Sequence, residues 1–329
     1  MTTASKMSLG AIVLLFVLSL VSYGQTSSGK FGSLAISPDG KVIAVDFGQH
    51  NISFIYRIAV DTGVATRLTG AKEGYEETPA FSPDGKRIAF TYWPADHARS
   101  RIVIVNVDGS DLHQWSPSGN NDVSPVFSPD NKTIIFGRFG FYGSYSPIAQ
   151  PHEHEWDFFA SDLDGANVRQ LTQESFYGVS PASVSPDGRT FLFVNKEDNG
   201  DVMEIRSLEV PAQAKQTLRP ALPHKIRGGA IYAFPNYLPD GKSILFMAAS
   251  EGKHGFDYDV YRTDLATGTV ERLTNGNGYA TDLIVSANGK TAVFLKWRTD
   301  SHATPVANEL CLLDLQSRAL TPLKITGLN

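Results

Sequence analysis

The chain has 329 residues, in which 29 lysines and arginines stand against 34 aspartates and glutamates, for a formal net charge of −5. Hydrophobic residues make up 42% of the chain, and it contains 29 glycines, 18 prolines and one cysteine. Such a composition is typical of a globular protein. Its mild acidity argues against a dedicated nucleic-acid binder, and the lone Cys311 excludes an intrachain disulfide framework and a cysteine-rich zinc site.

Residues 1–24 have the pattern of a secretory signal peptide. Polar residues 1–8 contain Lys6, and residues 9–22 form an uncharged apolar run that is shorter than the about 20 residues a membrane-spanning helix needs. Ser22 and Gly24 place small residues before a cleavage site at Gln25. We therefore expect residues 25–329 to be periplasmic or secreted, with no stable membrane span after cleavage. An uncleaved N-terminal anchor remains the alternative.

One pentapeptide recurs along the rest of the chain. The sequence SPDGK at residues 37–41 returns, with small changes, at residues 82, 128, 185, 238 and 286. Proline presets φ, aspartate can bond its own backbone, and glycine (or Asn131 in the third copy) accepts a positive φ. Each copy is followed by a β-rich stretch such as residues 88–90. Each pentapeptide is therefore predicted to be a hairpin turn.

Two further stretches complete each unit. Residues 101–107, 259–265 and 309–315 alternate with period two, which indicates strands with one buried face. After a second tight turn, a short polar strand ends in Leu-Thr, as at residues 67–69 and 272–274. Four strands in a unit of about 50 residues, repeated, predict an all-β, six-bladed propeller of four antiparallel strands per blade over residues 25–329. Two stacked sandwiches would not require six similar units.

The repeat resembles a known family. Residues 81–90, FSPDGKRIAF, are similar to the propeller repeat of the TolB family, a WD40-like repeat also called PD40, and the likeness extends over all six units. The resemblance implies a propeller fold and, as for TolB itself, periplasmic partners of the cell envelope. It covers the propeller without the N-terminal α/β domain of TolB. Similar propellers precede the hydrolase domain of prolyl-oligopeptidase-type peptidases, but no Gly-x-Ser-x-Gly nucleophile motif occurs in this sequence.

The connections on the face opposite the tight turns are expected to be long, irregular loops. They cover residues 91–101, 137–157, 172–181, 220–236, 247–259 and 295–309. Such loops on a rigid scaffold commonly carry binding residues. Of the 8 histidines, only His113 lies outside the connections of this face, which join strand two to strand three and blade to blade, and aromatic residues gather there as well. Packing of polar loops on their own aromatic residues is the simpler alternative.

The densest part of this face is residues 137–157, which end in PHEHEWD. We predict that the following residues of the face bind a ligand: His97, Tyr142, His152, His154, Trp156, Tyr177, His224 and His254. In an extended chain, His152 and His154 point the same way, and a further histidine from a neighbouring loop would let them ligate zinc or manganese. A solvated acidic loop explains the same residues without a metal.

Two functions remain open at this stage. The first is an exported, non-catalytic scaffold that binds an envelope or extracellular protein or peptide through the long-loop face. We favour it because the sequence shows no catalytic constellation, and we assign no catalytic residue and no cofactor. The second is a metal-assisted lyase or hydrolase that acts on a polysaccharide-type substrate, with His152 and His154 as metal ligands or acid–base groups.

Overall fold

The computed structural model describes most of the chain beyond residue 28. The described residues are 29–49, 52–70, 72–96, 99–116, 119–143, 152–179, 183–196, 203–209, 215–222, 231–252, 255–276, 278–299 and 305–328. The predicted signal peptide at residues 1–24 lies outside them, so it stays a prediction. In the described part, no helix is long and apolar enough to cross a membrane.

Six antiparallel sheets follow one another along the chain, and each is one blade. Blades 1 and 2 contain β1 (Lys30–Ile36), β2 (Val42–Gln49), β3 (Ile52–Ala59) and β4 (Ala65–Arg67), then β5 (Tyr75–Phe81), β6 (Arg87–Trp93), β7 (Arg101–Asn106) and β8 (His113–Gln114). Blades 3 and 4 contain β9 (Asn121–Phe127), β10 (Thr133–Gly143), β11 (His152–Asp162) and β12 (Arg169–Gln170), then β13 (Gly178–Val179), β14 (Ser183–Val184), β15 (Thr190–Lys196), β16 (Met203–Glu209) and β17 (Lys215–Leu218). Blades 5 and 6 contain β18 (Tyr232–Tyr237), β19 (Ser243–Gly252), β20 (Gly255–Asp264) and β21 (Val270–Arg272), then β22 (Ala280–Val285), β23 (Thr291–Thr299), β24 (Pro305–Asp314) and β25 (Leu320–Pro322).

The predicted six-bladed propeller is confirmed. Neighbouring strands of each sheet are also neighbours in sequence, as hairpin connections require. In blade 4 the first strand is in two pieces, β13 and β14, and both pair with β15. The six sheets therefore match the six sequence units.

The pentapeptide turns owe their form to one repeated set of hydrogen bonds. In blade 2, the Ser82 hydroxyl donates to Asp84 Oδ1 at 2.5 Å, and the same oxygen accepts from the Lys86 backbone N–H at 3.1 Å. Ser82 Oγ also accepts from the Arg87 backbone N–H at 2.9 Å, which closes the hairpin. The copies at residues 37, 128, 185 and 286 repeat this set. We call the side of the propeller that carries these turns the turn face.

Neighbouring turns also pack against one another around the turn face. A Cβ added to Gly188 would lie 3.6 Å from Cδ of Pro129, and one added to Gly289 would lie 3.0 Å from Cδ of Pro239. Both glycines have positive φ, 73° and 67°. The backbone conformation therefore favours glycine at both positions, and the proline of the preceding blade also leaves little room for a side chain at Gly289. Asn131 replaces it in blade 3, with φ of 59°.

The Leu-Thr ending of the fourth strands has a structural cause. The Thr172 hydroxyl accepts from the Phe158 backbone N–H at 2.8 Å and donates to Asp157 Oδ1 at 2.6 Å. Thr274 makes the equivalent bond to Asp259 Oδ1 at 3.0 Å. The threonine therefore satisfies a third-strand N–H beyond the end of the short fourth strand, and so the repeat needs no ligand to explain it.

Within the described ranges, the ring closes without a strand exchanged between its ends. The Asn308 side chain of blade 6 accepts from the Phe31 backbone N–H at 3.0 Å and donates to the Phe31 carbonyl at 2.5 Å. Near the outer edge, Val64 and Thr326 form a parallel bridge. Between these contacts, buried side chains of blades 1 and 6, Leu310 among them, share one apolar cluster. Side-chain packing and a few backbone bonds thus hold the two ends together.

The second and third strands extend well into the regions expected to be loops. Strands β10 and β11 cover residues 133–143 and 152–162, so most of residues 137–157 forms a regular hairpin. Residues 247–259 and 295–309 likewise belong mainly to β19–β20 and β23–β24. The expectation of long irregular loops is wrong there, because aromatic and β-branched residues continue the ladders beyond the first strands. We call the side that carries these hairpins the hairpin face.

Candidate functional site

The structure describes half of the predicted binding residues in full. His97, His224 and His254 lie outside the described residues, so their role stays a prediction. Of His152 only the backbone is described, and it pairs with Gly143. The other four residues, Tyr142, His154, Trp156 and Tyr177, lie on or beside the blade 3 hairpin.

His154 is buried in this hairpin. Its Nε2 atom lies 3.0 Å from the carbonyl oxygen of Gly143, and its ring stacks on Phe141 with a centroid distance of 4.8 Å. Tyr177 meets the same ring edge-on at 6.1 Å. These contacts fix the orientation of the imidazole within the hairpin.

The strand that was expected to alternate along residues 152–157 is interrupted at Glu155. Glu155 has a φ of 60°, and Glu153 and His154, which precede it, are both buried. In the described part, no group of three or more His, Cys, Asp or Glu side chains is arranged to hold a metal ion. The metal site built on His152 and His154 stays a prediction, because the other proposed ligands are not described.

An aromatic wall joins blades 2 and 3 on the hairpin face. We use this name for five residues: Tyr75, Trp93, Phe139, Tyr142 and Trp156. Trp93 stacks on Phe139 with 5.6 Å between centroids and meets Tyr142 at 6.1 Å, and Phe139 contacts Trp156 at 5.3 Å. Trp93, Phe139 and Trp156 are buried, whereas Tyr75 and Tyr142 are partly exposed. The wall thus presents two phenol groups on a packed base.

The topology places the two tyrosines side by side. Tyr75 is the first residue of β5 and pairs with Trp93 at the end of β6. The partner ladder of β10 with β9 ends at Phe139, so Tyr142 lies on the part of the hairpin that projects beyond the first strand. This projection lets Tyr142 reach the indole ring of Trp93 in the preceding blade. The blade 3 hairpin therefore leans over blade 2.

An acidic set lies next to the aromatic wall. It consists of Asp46 in blade 1, Glu77 in blade 2, Glu153 in blade 3 and Asp282 in blade 6. Asp46 interacts electrostatically with Asp282 and with Glu77, and Glu77 also interacts with Glu153. Burial raises the pKa of Tyr142 and of Tyr75, and the charges of Glu153 and Glu77 raise them further. Four consecutive blades thus contribute one carboxyl group each.

Burial dominates the protonation of these carboxyl groups. It raises the pKa of Asp46 to about 8, with a smaller contribution from the charge of Asp282, although the Ser33 backbone N–H donates to Oδ1 at 2.6 Å. Burial and the charges of Asp46 and Glu153 raise the pKa of Glu77 well above its usual value. Burial raises the pKa values of Glu153 and Asp282 to about 7. Near neutral pH the set therefore holds protons that ordinary carboxyl groups would have lost.

Three of these carboxyl groups form no ion pair with a basic side chain in the described structure. Within the described ranges, the ion pairs of lysine and arginine do not include Asp46, Glu77 or Asp282. Elsewhere buried acids have such partners, as Asp122 does in Arg138 at 2.6 Å. The hairpin face of blades 6, 1, 2 and 3 thus carries excess negative potential when the carboxyl groups ionise.

The sequence analysis missed Asp46, Glu77 and Asp282, although a signal was present. Asp46 interrupts the apolar run at residues 42–47. This strand lies inside its sheet, and the residues on both of its faces are buried. The matched positions of the other blades are neutral: Thr91, Gly137, Val194, Met247 and Leu295. Comparison of the six units position by position would have singled out this aspartate.

Comparison with known proteins points to the same fold, a β-propeller. A family model described as the TolB beta propeller domain matches residues 26–139. A TolB homolog of Chlorobium chlorochromatii is 34% identical over 176 residues, covering 54% of this chain and 36% of that protein. The crystal structure of TolB from Acinetobacter baumannii superposes with a TM-score of 0.60 at 20% identity, over 91% of this chain and 64% of that one.

The chain carries a TolB-like β-propeller. It spans between 36% and 52% of the length of the first four curated relatives that it matches. A manganese complex of an oligogalacturonate lyase also superposes, with a TM-score of 0.59 at 16% identity over 88% of this chain and 75% of that one. At that identity the likeness shows the fold alone, so the TolB-like propeller acquires neither the activity nor the metal of the lyase from it.

Proposed function

We propose that this TolB-like propeller is an exported scaffold that binds a protein or peptide through its hairpin face. The observation that carries the proposal is the aromatic wall, in which two partly exposed tyrosines rest on buried rings of neighbouring blades. Tyrosine side chains held in this way bury large areas on binding and lose little conformational entropy.

The acidic set indicates the charge of the partner. Asp46, Glu77 and Asp282 have no basic partner in the described structure, and their raised pKa values reflect burial and mutual repulsion. A lysine, an arginine or an α-ammonium group brought near them would favour their ionised forms. We therefore expect the bound segment to carry positive charge beside an apolar or aromatic side chain.

The proposed location outside the cytoplasm rests on the signal-peptide pattern of residues 1–24 and on the likeness to TolB. Sequencing the N-terminus of the exported protein would test it. A start at Gln25 is expected, whereas an N-terminus at Met1 or Thr2 in the envelope fraction would favour the retained anchor.

Affinity capture from the cell envelope tests the binding function. The full chain, Tyr142→Ala and Glu77→Gln would be compared by quantitative mass spectrometry after mild crosslinking. We expect one protein or peptide to be enriched by the full chain and reduced at least about tenfold by Tyr142→Ala, because loss of an interface aromatic anchor typically costs 2 kcal/mol or more.

Lys132→Ala is the matched control, because Lys132 lies in the pentapeptide turn of the same blade on the opposite face. It should capture the partner as the full chain does. Equal capture by all three variants would contradict binding at the aromatic wall. Capture of nothing above background, together with turnover of an oligosaccharide by the full chain, would favour the lyase or hydrolase alternative.

A further inference from the structure

A cavity opens on the turn face between blades 3 and 4. Its space measures about 390 Å³, which falls within the range of small-molecule sites. The pentapeptide turns of the two blades form its rim, and Ile135 and Ala160 line it from the sheet of blade 3. It lies on the face opposite the aromatic wall, so its occupation does not depend on the proposed function.

One residue at the buried end of the cavity is small. Ala160 pairs with Ile135 in β11 and β10 and is completely buried. The third strands of the other blades carry a different residue at this position in the ladder: Arg57, Ile104, Ser207, Arg262 and Leu312. Four of these five side chains are much larger than that of alanine. Ala160 therefore has a smaller side chain than four of its counterparts, at the completely buried end of the cavity.

The polar groups of the cavity have hydrogen-bonding capacity to spare. Hydrogen bonds within the turns engage Oδ1 of Asp130 and Oδ1 of Asp187, and the described structure shows none to either Oδ2. Arg169, on β12 opposite Ala160, is exposed and joins no ion pair among the described residues. Two carboxylates and one guanidinium thus surround a pocket with an apolar floor.

We propose that this cavity binds a small zwitterion, an amino acid or a dipeptide. Its ammonium group would lie between Asp130 and Asp187, its carboxylate would accept from Arg169, and its side chain would lie against Pro186 and the edge of Ile135, above the buried Ala160. Guanidinium binds carboxylate in a bidentate way, and charge-assisted bonds of this kind are among the stronger polar contacts.

Both aspartates are in the charge state that this ligand requires. The hydroxyl of Ser128 lowers the pKa of Asp130, and the hydroxyl of Ser185 lowers the pKa of Asp187. A neutral sugar would leave these charges unmatched. A dianion such as phosphate would meet two carboxylates and a single arginine, which disfavours it.

Titration calorimetry with capped and uncapped dipeptides tests the assignment. The probes are alanyl-leucine, its N-acetyl form and its C-terminal amide, each added to the full chain. We expect saturable binding of the free dipeptide, weakened about tenfold or more by either cap. Arg169→Gln, which places the residue of blade 4 (Gln216) in blade 3, should weaken the free dipeptide to the affinity of the amide and leave the amide unchanged.

Ala160→Leu introduces the leucine that blade 6 carries at Leu312, and it should abolish binding of all three probes. His113→Gln is the matched control, because His113 occupies the position of Arg169 in blade 2, outside the cavity. It should bind as the full chain does. Absence of saturable binding by the full chain, or binding that survives both Ala160→Leu and Arg169→Gln, would overturn the proposal.

Discussion

The two faces of the propeller are built on opposite principles. On the turn face, one pentapeptide is repeated around the ring, and its serine and aspartate satisfy each other and the backbone in almost every blade. On the hairpin face, the blades differ in strand length, in aromatic content and in charge. Among the described residues, the hairpin face carries four buried, mutually close carboxyl groups and an aromatic wall from neighbouring blades.

The turn face thus stabilises the ring, whereas the hairpin face carries the groups that we propose contact a partner. Because almost every turn makes the same hydrogen bonds within itself, we expect these turns to contribute similar amounts to the free energy of unfolding. Buried carboxyl groups without basic partners lower stability when they ionise, and proteins commonly retain such groups where they serve a function. The predictions below begin with the largest expected effect.

Asp46→Asn should change the pH dependence of stability. The folded pKa of Asp46, about 8, lies above its unfolded value near 3.8, so the folded state holds the proton more tightly. This contribution to stability is fully present below about pH 4 and is lost as the pH rises towards 8. Chemical denaturation should show the parent losing a few kcal/mol more over that interval than Asp46→Asn, which keeps only the losses due to Glu77, Glu153 and Asp282. Parallel pH profiles for the two proteins would contradict the buried acidic set.

Asn308→Ala should weaken the seam between blades 6 and 1. It removes both bonds to Phe31 and leaves a backbone N–H and C=O without their partner. We expect a loss of about 2 kcal/mol in the free energy of unfolding, measured by urea denaturation. Asn308→Asp, which can accept but not donate, should lie between the two. An unchanged midpoint for Asn308→Ala would show that apolar packing alone closes the ring.

Ser82→Ala tests the turn face directly. The substitution leaves the Arg87 N–H without its acceptor and removes the donor to Asp84. A loss of about 1 kcal/mol is expected, and Ser128→Ala should cost the same, since the blade 3 turn repeats these bonds. Costs that differ by more than twofold would argue against equivalent turns.

Asn131→Gly should have the smallest effect. Glycine adopts the φ of 59° more readily than asparagine, but the variant loses the bonds from Asn131 to Asp84 and Arg87 at the surface. These terms oppose each other, and the free energy of unfolding should change by less than about 0.5 kcal/mol. A loss of 1 kcal/mol or more would show that the hydrogen bonds between the turns of blades 2 and 3 contribute more to stability than we expect.

The repeated unit allowed the fold to be predicted from the sequence. Six pentapeptides with flanking apolar stretches predict the blades, their order and their turns, since each feature depends on residues close together in the chain. Tyr142, His154, Trp156 and Tyr177 were singled out, and the structure brings them to one hairpin, although their role as ligand contacts stays a prediction. Strand extension through residues 137–143 was missed because glycines at 137 and 140 resembled loop residues.

The acidic set illustrates what local patterns leave out. Asp46, Glu77 and Asp282 are separated by long stretches of sequence and come together only when the ring closes between blades 6 and 1. Burial is the main cause of their raised pKa values, and the charge of Asp282 acts on Asp46 across the closure between blades 6 and 1. Position-by-position comparison of the units points to each residue, but only the three-dimensional arrangement shows that they interact.

Site-specific photocrosslinking tests the central claim that the hairpin face is the binding face. A photoreactive amino acid would replace Tyr142 on the hairpin face or Lys132 on the turn face of the same blade, in the exported protein in intact cells. We predict one discrete crosslinked partner from position 142 and none from position 132. Crosslinks from position 132 alone would contradict the account and place binding on the turn face.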